Sequence, residues 1–145
     1  MRAVGIDLGA RRIGVAVSDP SGTVATAREV LQRSGDPAGD HRRIAEIVAE
    51  VGAGVVVIGL PLSLNGRMGP AARAVATEAE AIAGVVGVPV VTQDERLSTV
   101  SAERSLSTLA LKAPARRQVV DMVAAAVILQ SWLDRGQHTS PEVTS

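Results

Sequence analysis

The first strand constrains this chain more than any other stretch. In Arg2-Ala3-Val4-Gly5-Ile6-Asp7-Leu8-Gly9, Val4, Ile6 and Leu8 alternate with Gly5, Asp7 and Gly9, which is the period of a β-strand. A strand this apolar belongs in the middle of a sheet, yet it carries a carboxylate at its exit. A buried charge is costly unless it is paired or holds a metal. The flanking glycines leave room for a group to approach Asp7. Asp7 therefore reads either as a metal-bound acid at the heart of a small α/β enzyme or as a solvated residue in a tight turn. The strand by itself leaves both open.

The following segments extend the sheet. Arg12 to Ser18 reads as a second strand, antiparallel to the first across the short turn Gly9-Ala10-Arg11. Asp19-Pro20-Ser21-Gly22 is a turn, and Thr23 to Leu31 reads as a third strand nearer an edge. Asp36-Pro37 looks like an N-cap followed by proline at the first helical position. Ile44, Ile47, Val48 and Val51 then fall on one helical face, with Arg42, Arg43, Glu46, Glu50 and His41 assigned to the charged side. The β-branched run Val55 to Ile58 predicts a strand buried on both faces. A loop from Gly59 to Gly69 leads to a second helix opened by Pro70, with Val75, Ala79 and Ile82 inward and Gly84 and Gly87 at its end. Val88 to Val91 is a last short strand, followed directly by Gln93-Asp94-Glu95-Arg96. A third helix, capped by Ser98 or Thr99, is expected to reach about Leu106. A connector, Ser107 to Ala113, leads to a final helix from Pro114 or Ala115 to Asp134. The order predicts an α/β fold: a five-stranded mixed sheet, antiparallel meander then β-α units, with helices on both faces. Residues 1–135 form one domain and 136–145 a polar, frayed, flexible tail.

Composition removes several function classes. The chain has 145 residues, 46% hydrophobic and 21% charged, with no cysteine, so disulfides and thiolate metal sites are excluded. No apolar run reaches membrane-spanning length and no leader-like segment precedes the first strand, so a cytoplasmic protein with no membrane partner is expected. The formal net charge is +0, and there is no overall field to draw in nucleic acid. Trp132 is the only aromatic residue, which argues against a stacking platform for unpaired bases. A nucleic-acid ligand would be held through phosphate and shape, and arginine, which dominates the basic residues, binds phosphate in bidentate fashion.

Two further acids are placed where chemistry collects. Glu95 follows the last strand at its C-terminal end, where ligand sites of open α/β sheets gather. Asp121 interrupts the apolar run Val119 to Leu129 of the final helix. Each also has a plain reading, Glu95 as a surface acid beside Arg96 and Asp121 as a solvent-facing partner of Arg117 one turn earlier. Together with Asp7 they are what a site for two Mg²⁺ or Mn²⁺ ions requires, since carboxylates bridge and flank such a pair. Arg11 and Arg12, beside Asp7, are candidate phosphate clamps, and so is Arg67, near a helix N-terminus that can bind phosphate. For the arginines the alternative is solvated turn and loop residues. His41 and His138 are not placed to act as general bases.

Four groups of residues carry a family resemblance. Gly5-Ile6-Asp7-Leu8-Gly9 with Arg12 to Asp19, Gly59-Leu60-Pro61-Leu62 with Asn65-Gly66, Asp94-Glu95-Arg96-Leu97-Ser98-Thr99 with Ala102-Glu103, and Asp121 with Ala124-Ala125 and Ile128-Leu129-Gln130 resemble the YqgF/RuvX family, in order, over about residues 2 to 135. The resemblance implies a ribonuclease H-like fold and a metal-dependent nuclease that processes the 5′ end of pre-16S rRNA. Members also resemble Holliday-junction resolvases. It places Asp7, Glu95 and Asp121 on the family's acidic metal triad. Arg117 falls where the family has a basic residue one turn before the last acid.

Three functions stay open at this level. One is a metal-dependent endonuclease acting on structured RNA or on branched DNA; a resolvase of branched DNA needs two active sites and hence a homodimer. Another is an ATP-binding domain, because actin-like and sugar-kinase folds also place D-x-G at the end of a first strand, though they use two such domains. The last is a noncatalytic binding module on a nuclease-like fold, in which the acids are dispensable.

Overall fold

The computed structural model describes residues 1–63, 65–97, 114–136 and 142–143; of residues 97, 114–120 and 142–143 the backbone alone is described. The five expected strands form: β1 Ala3–Leu8, β2 Arg12–Ser18, β3 Ala25–Gln32, β4 Val55–Leu60 and β5 Val90–Asp94. β3 begins later than the apolar pattern predicts. The Asp19 carboxylate accepts hydrogen bonds from the Thr23 and Val24 amides, at 2.7 and 3.0 Å, and holds both residues in the turn. β5 in turn runs beyond Val91, because its parallel ladder with β4 continues through Gly59–Gln93 and Leu60–Asp94. Two residues of the expected tail, Glu142–Val143 (β6), pair antiparallel with Val91 and Val90 on the outer edge of β5.

The sheet order is β3-β2-β1-β4-β5-β6. β1, β2 and β3 form the antiparallel meander, and β1, β4 and β5 run parallel. β1 is thus internal, flanked by β2 and β4, as its apolar sequence demands. A bulge between Val15 and Ala16 shifts the β2–β3 register and sharpens the twist of that edge.

Three helices are described: α1 Pro37–Val51, α2 Pro70–Val86 and α3 Pro114–Asp134. The helix expected from Ser98 or Thr99 and the Ser107–Ala113 connector lie outside the described residues. α1 has Pro37 in its first turn and ends at Gly52, whose φ of 66° is the left-handed conformation that glycine adopts without strain. Asp36 makes no side-chain capping bond. Asp40, one turn on, instead takes the Ser34 hydroxyl at 2.8 Å. α2 passes through Gly84 and stops at Gly87, φ 73°.

Alternation along the strands divides the core between the two sheet faces. Val4, Ile6, Ile13, Val15, Val56 and Ile58 face α1 and α2, where Ile44, Ile47, Val75, Ala79 and Ile82 meet them. Ala3, Ala16, Val55, Val57 and Val91 face α3, against Ala125, Ile128, Leu129 and Trp132. Each fully buried branched side chain stabilises the fold by about 1.5–3 kcal/mol before entropy is counted. No helix among the described residues is long and apolar enough to cross a membrane.

Candidate active site

The α3 face differs from the other in residue size. Its strands present glycine where the opposite face presents isoleucine and valine, and α3 settles directly onto the backbone. A Cβ at Gly5 would stand 2.6 Å from Leu129 Cβ, and one at Gly14 would fall on the Asp121 carbonyl oxygen. At Gly59 it would come to 2.5 Å of Ile128 Cδ1. At Gly5 and Gly14 no side chain fits without displacing the helix; at Gly59 one would have to move the Ile128 side chain.

Asp7 stands on this face, two residues beyond Gly5 on β1, and is 3% exposed. Its cross-strand partner on β2 is Gly14, the residue that touches the Asp121 backbone. On the other side, Ile6 pairs with Ile58 of β4, so Gly59 comes next to Asp7. Gly59 faces Glu95: a Cβ there would be 3.0 Å from Glu95 Oε1. Glu95 opens a single 3-10 turn directly after β5 and is 7% exposed. The plain reading of Glu95 as a surface acid therefore does not hold. The chain turns there, and its carboxylate folds back over Gly59. Register and packing bring the three acids to one patch from β1, from the turn after β5 and from α3.

Asp121 is paired, with a partner that the sequence did not suggest. Its Oδ2 accepts a hydrogen bond from Arg12 Nε at 2.7 Å, and the two side chains are 21% and 17% exposed for Arg12 and Asp121. Arg12 is the first residue of β2, and α3 crosses that strand at Gly14, so the arginine reaches the acid across the sheet. The Arg117 side chain lies outside the described residues. Among the described residues, no three His, Asp or Glu side chains stand close enough to hold one ion between them. The donor set is nevertheless hard oxygen, which suits Mg²⁺ or Mn²⁺ over softer metals. The space that a Cβ at Gly59 would fill adjoins the Glu95 carboxylate.

Asp94 and Arg96 flank Glu95 and serve each other. Arg96 donates to both Asp94 oxygens, the shortest bond 2.7 Å from Nη2 to Oδ2. These bonds hold the Asp94 carboxyl below its usual range against a smaller upward push from burial.

The sequence as a whole decides the family. Residues 1–135 match the profile of the family described as RuvX: Holliday junction resolvase. The chain belongs to the RuvX family. A relative from Pelotomaculum thermopropionicum, named "Putative pre-16S rRNA nuclease", is 44% identical over 92% of this chain and 87% of its own length. Relatives with the same name from Mycobacterium sp. (strain KMS) and Leifsonia xyli subsp. xyli are each 48% identical, over 92% and 94% of this chain and 80% and 88% of their own. Among solved structures, Thermus thermophilus RuvC in complex with a Holliday junction substrate aligns over 98% of this chain and 99% of its own. The TM-score is 0.61 and the identity 20%. That likeness places the RuvX chain in the ribonuclease H-like fold.

Of the arginines singled out in the RuvX sequence, Arg11 is exposed on the β1–β2 turn and Arg67 on the loop before α2. That loop closes on itself: Asn65 Oδ1 accepts from the Ser63 hydroxyl at 2.6 Å and from the Arg67 amide at 3.1 Å. Arg12 is engaged with Asp121 rather than solvated.

Sequence reasoning missed a second polar cluster on the opposite side of the sheet. Arg33, after β3, donates to both Glu78 oxygens at 2.8 Å and through Nε to the Gly9 carbonyl at 2.8 Å. His41 Nε2 lies 2.8 Å from Glu78 Oε2. His41 is 7% exposed and does not lie on the charged side of α1. It stands one turn before Ile44, so the apolar stripe extends back to it, and this spacing was the available signal. Burial pushes the Glu78 carboxyl up, but hydrogen bonds from Arg33 and His41 outweigh it and hold the group below its ordinary value. The Glu78 partnership raises Arg33 in turn. The cluster pins the β1–β2 turn, and with it Arg11 and Arg12, to α1 and α2.

Proposed function

We propose that this RuvX chain is a divalent-metal-dependent endonuclease that hydrolyses phosphodiester bonds in structured RNA, in 5′-end processing of pre-16S rRNA during ribosome biogenesis. The observation that carries the proposal is the setting of Asp7. It is a carboxylate at 3% exposure on an internal strand, between one glycine that touches Asp121 and another that faces Glu95. The names of the relatives support RNA as the substrate.

Asp7, Glu95 and Asp121 are the residues that would hold Mg²⁺ or Mn²⁺, two ions in the complete site. When bound, such ions supply an activated water and stabilise the leaving oxygen. The chain's own residues do the rest. Asp7 and Glu95 offer carboxylates that burial and close packing hold in place, so little reorganisation is needed at reaction. Arg11, Arg12, Arg67 and Arg117 are assigned to the phosphates on either side of the scissile bond. Phosphate contacts carry little base information, so selection rests on the shape of the folded substrate. The nuclease domain is assigned to residues 1–135 and the C-terminal tail to 136–145, of which Glu142–Val143 pair with β5. The cytoplasm, where rRNA is transcribed in bacteria, is the assigned location.

The family description favours one alternative, resolution of branched DNA by a homodimer. Cleavage by the purified full chain with Mg²⁺ or Mn²⁺ decides between them. The substrates are a 5′-extended 16S precursor, a four-way junction, a linear duplex and a single strand. Preferential cutting of the precursor is the expected result. Preferential cutting of the junction moves the assignment to DNA. Cutting of none, with nucleotide binding in its place, overturns the nuclease reading.

A further inference from the structure

We infer that Arg12 is a resident stand-in for a cation at Asp121, and that this carboxylate becomes a metal ligand only by exchanging Arg12 for the ion. The inference rests on the metal-site reading above and adds how that site is gated.

The geometry of the pair is that of a half-occupied carboxylate. Arg12 Nε holds Asp121 Oδ2 at 2.7 Å. Among the described residues, Asp121 Oδ1 accepts no hydrogen bond, and the two Nη groups of Arg12 donate none. One oxygen is thus taken by a positive charge while the other is open to a hard cation. The guanidinium is equally half-committed. Both side chains are largely withdrawn from solvent, where a charge-assisted bond is screened less than at the surface. The contact is therefore a real competitor for Asp121.

The backbone of Arg12 is held by the hairpin, and its side chain by the one bond to Asp121. Its carbonyl accepts from the Gly9 amide at 2.9 Å, and its residue pairs with Gln32 on β3. A release from Asp121 is a rotation of the side chain over a rigid hairpin. Asp7 lies five positions earlier on the same hairpin, so the freed guanidinium stays at the site. With Asp121 occupied by an ion, Arg12 has Nη donors to give to a substrate phosphate, which they match in bidentate fashion. This accounts for the open arrangement of the acids: while Arg12 holds Asp121, the three carboxylates do not close on one ion. Arg12 is in these terms a positioning residue before the metal arrives and a phosphate ligand afterwards.

The test needs no nucleic acid. Mn²⁺ binding to the full chain is measured by calorimetry for wild type, Arg12→Gln, Arg12→Lys, Arg11→Gln, Asp7→Asn, Asp121→Asn and the double variant Arg12→Gln/Asp121→Asn. Arg12→Gln is expected to tighten the Asp121-dependent binding about tenfold, the equivalent of about 1.4 kcal/mol. Arg11→Gln removes the same charge one residue away, without a bond to Asp121, and should change affinity less than about twofold by simple field effects. In the Asp121→Asn background, Arg12→Gln should bring no gain. If Arg12→Gln fails to fold, Arg12→Lys carries the test with a smaller gain. In the intact wild type, the Arg12 Nε–H resonance should lose protection from solvent exchange on saturation with Mg²⁺.

Unchanged Mn²⁺ affinity in Arg12→Gln, an equal gain in Arg11→Gln, or an Nε–H still protected in Mg²⁺ overturns the exchange. The underlying metal reading fails separately, and takes the exchange with it, if wild type binds Mn²⁺ no better than Asp7→Asn.

Discussion

Gly59 and Glu95 share one small volume: the position of a Cβ on residue 59 lies 3.0 Å from Glu95 Oε1 and 2.5 Å from Ile128 Cδ1. A methyl group there must move the Glu95 carboxylate, the Ile128 side chain or both. Gly59→Ala should cost about 1–3 kcal/mol of stability, the usual range for overpacking a filled core. Loss of nuclease activity should exceed what the fraction unfolded explains. Melting curves and cleavage rates of the same preparation check this. An active, equally stable Gly59→Ala would mean that the Glu95 carboxylate is not constrained from below.

The acids should separate sharply from their neighbour. Asp7→Asn, Glu95→Gln and Asp121→Asn are each expected to abolish cleavage, and EDTA should do the same to the wild type. Asp94→Asn should retain most activity, because the Asp94 carboxylate is occupied by Arg96. Single-turnover rates on one substrate decide. Full activity in EDTA or in any of the three triad variants would remove the metal assignment.

Substrate affinity should fall steeply with salt and survive loss of the acids. Replacing Arg11, Arg12, Arg67 and Arg117 with alanine should flatten the plot of log affinity against log salt by about 0.7–0.9 for each phosphate no longer neutralised. Binding isotherms at several salt concentrations measure this. An unchanged slope would place the phosphate surface elsewhere on the molecule.

The Glu78 cluster predicts an acid-dependent stability. Its folded pKa lies below the unfolded value because Arg33 and His41 bond the charged form. A depressed carboxyl contributes stability that is complete above the unfolded pKa and is lost as pH falls through the folded one. Wild type should therefore lose melting temperature below about pH 4.5, the ordinary Glu value, more steeply than Glu78→Gln. At neutral pH, Glu78→Gln should be less stable by about 1–3 kcal/mol, since Arg33 keeps its charge without its partner. Thermal melts from pH 3 to 7 test it, and parallel curves for the two proteins would show that Glu78 contributes no such term.

How far the sequence alone could reach is visible in these same residues. Asp7 and Asp121 were legible as candidates because each interrupts an apolar pattern of known period, and Glu95 because it follows a strand end. The two-faced sheet followed from the meander and the β-α units. What was hidden depends on register between distant segments. Arg12 and Asp121 are 109 positions apart, and no local spacing indicates that α3 crosses β2 at Gly14. Glycine has no side chain to register in a periodic pattern, so the cushionless contact beneath α3 was also unreadable. His41 was misplaced for a nearer reason. A histidine among arginines reads as part of a charged face, although its spacing to Ile44 puts it on the buried one.

The internal position of β1 has a consequence for how the protein fails. Strands at a sheet edge can fray while the remainder stays native, and amide exchange there proceeds through small local openings. β1 has β2 and β4 on its flanks from Val4 to Ile6 and helices on both faces, so the amides leading up to Asp7 should reach solvent through an opening that dismantles the domain. They should be among the last to exchange with deuterium, at a rate set by global unfolding. A carboxylate mounted there keeps its geometry until the whole fold is lost, and inactivation by heat should track the cooperative melt of the domain rather than precede it.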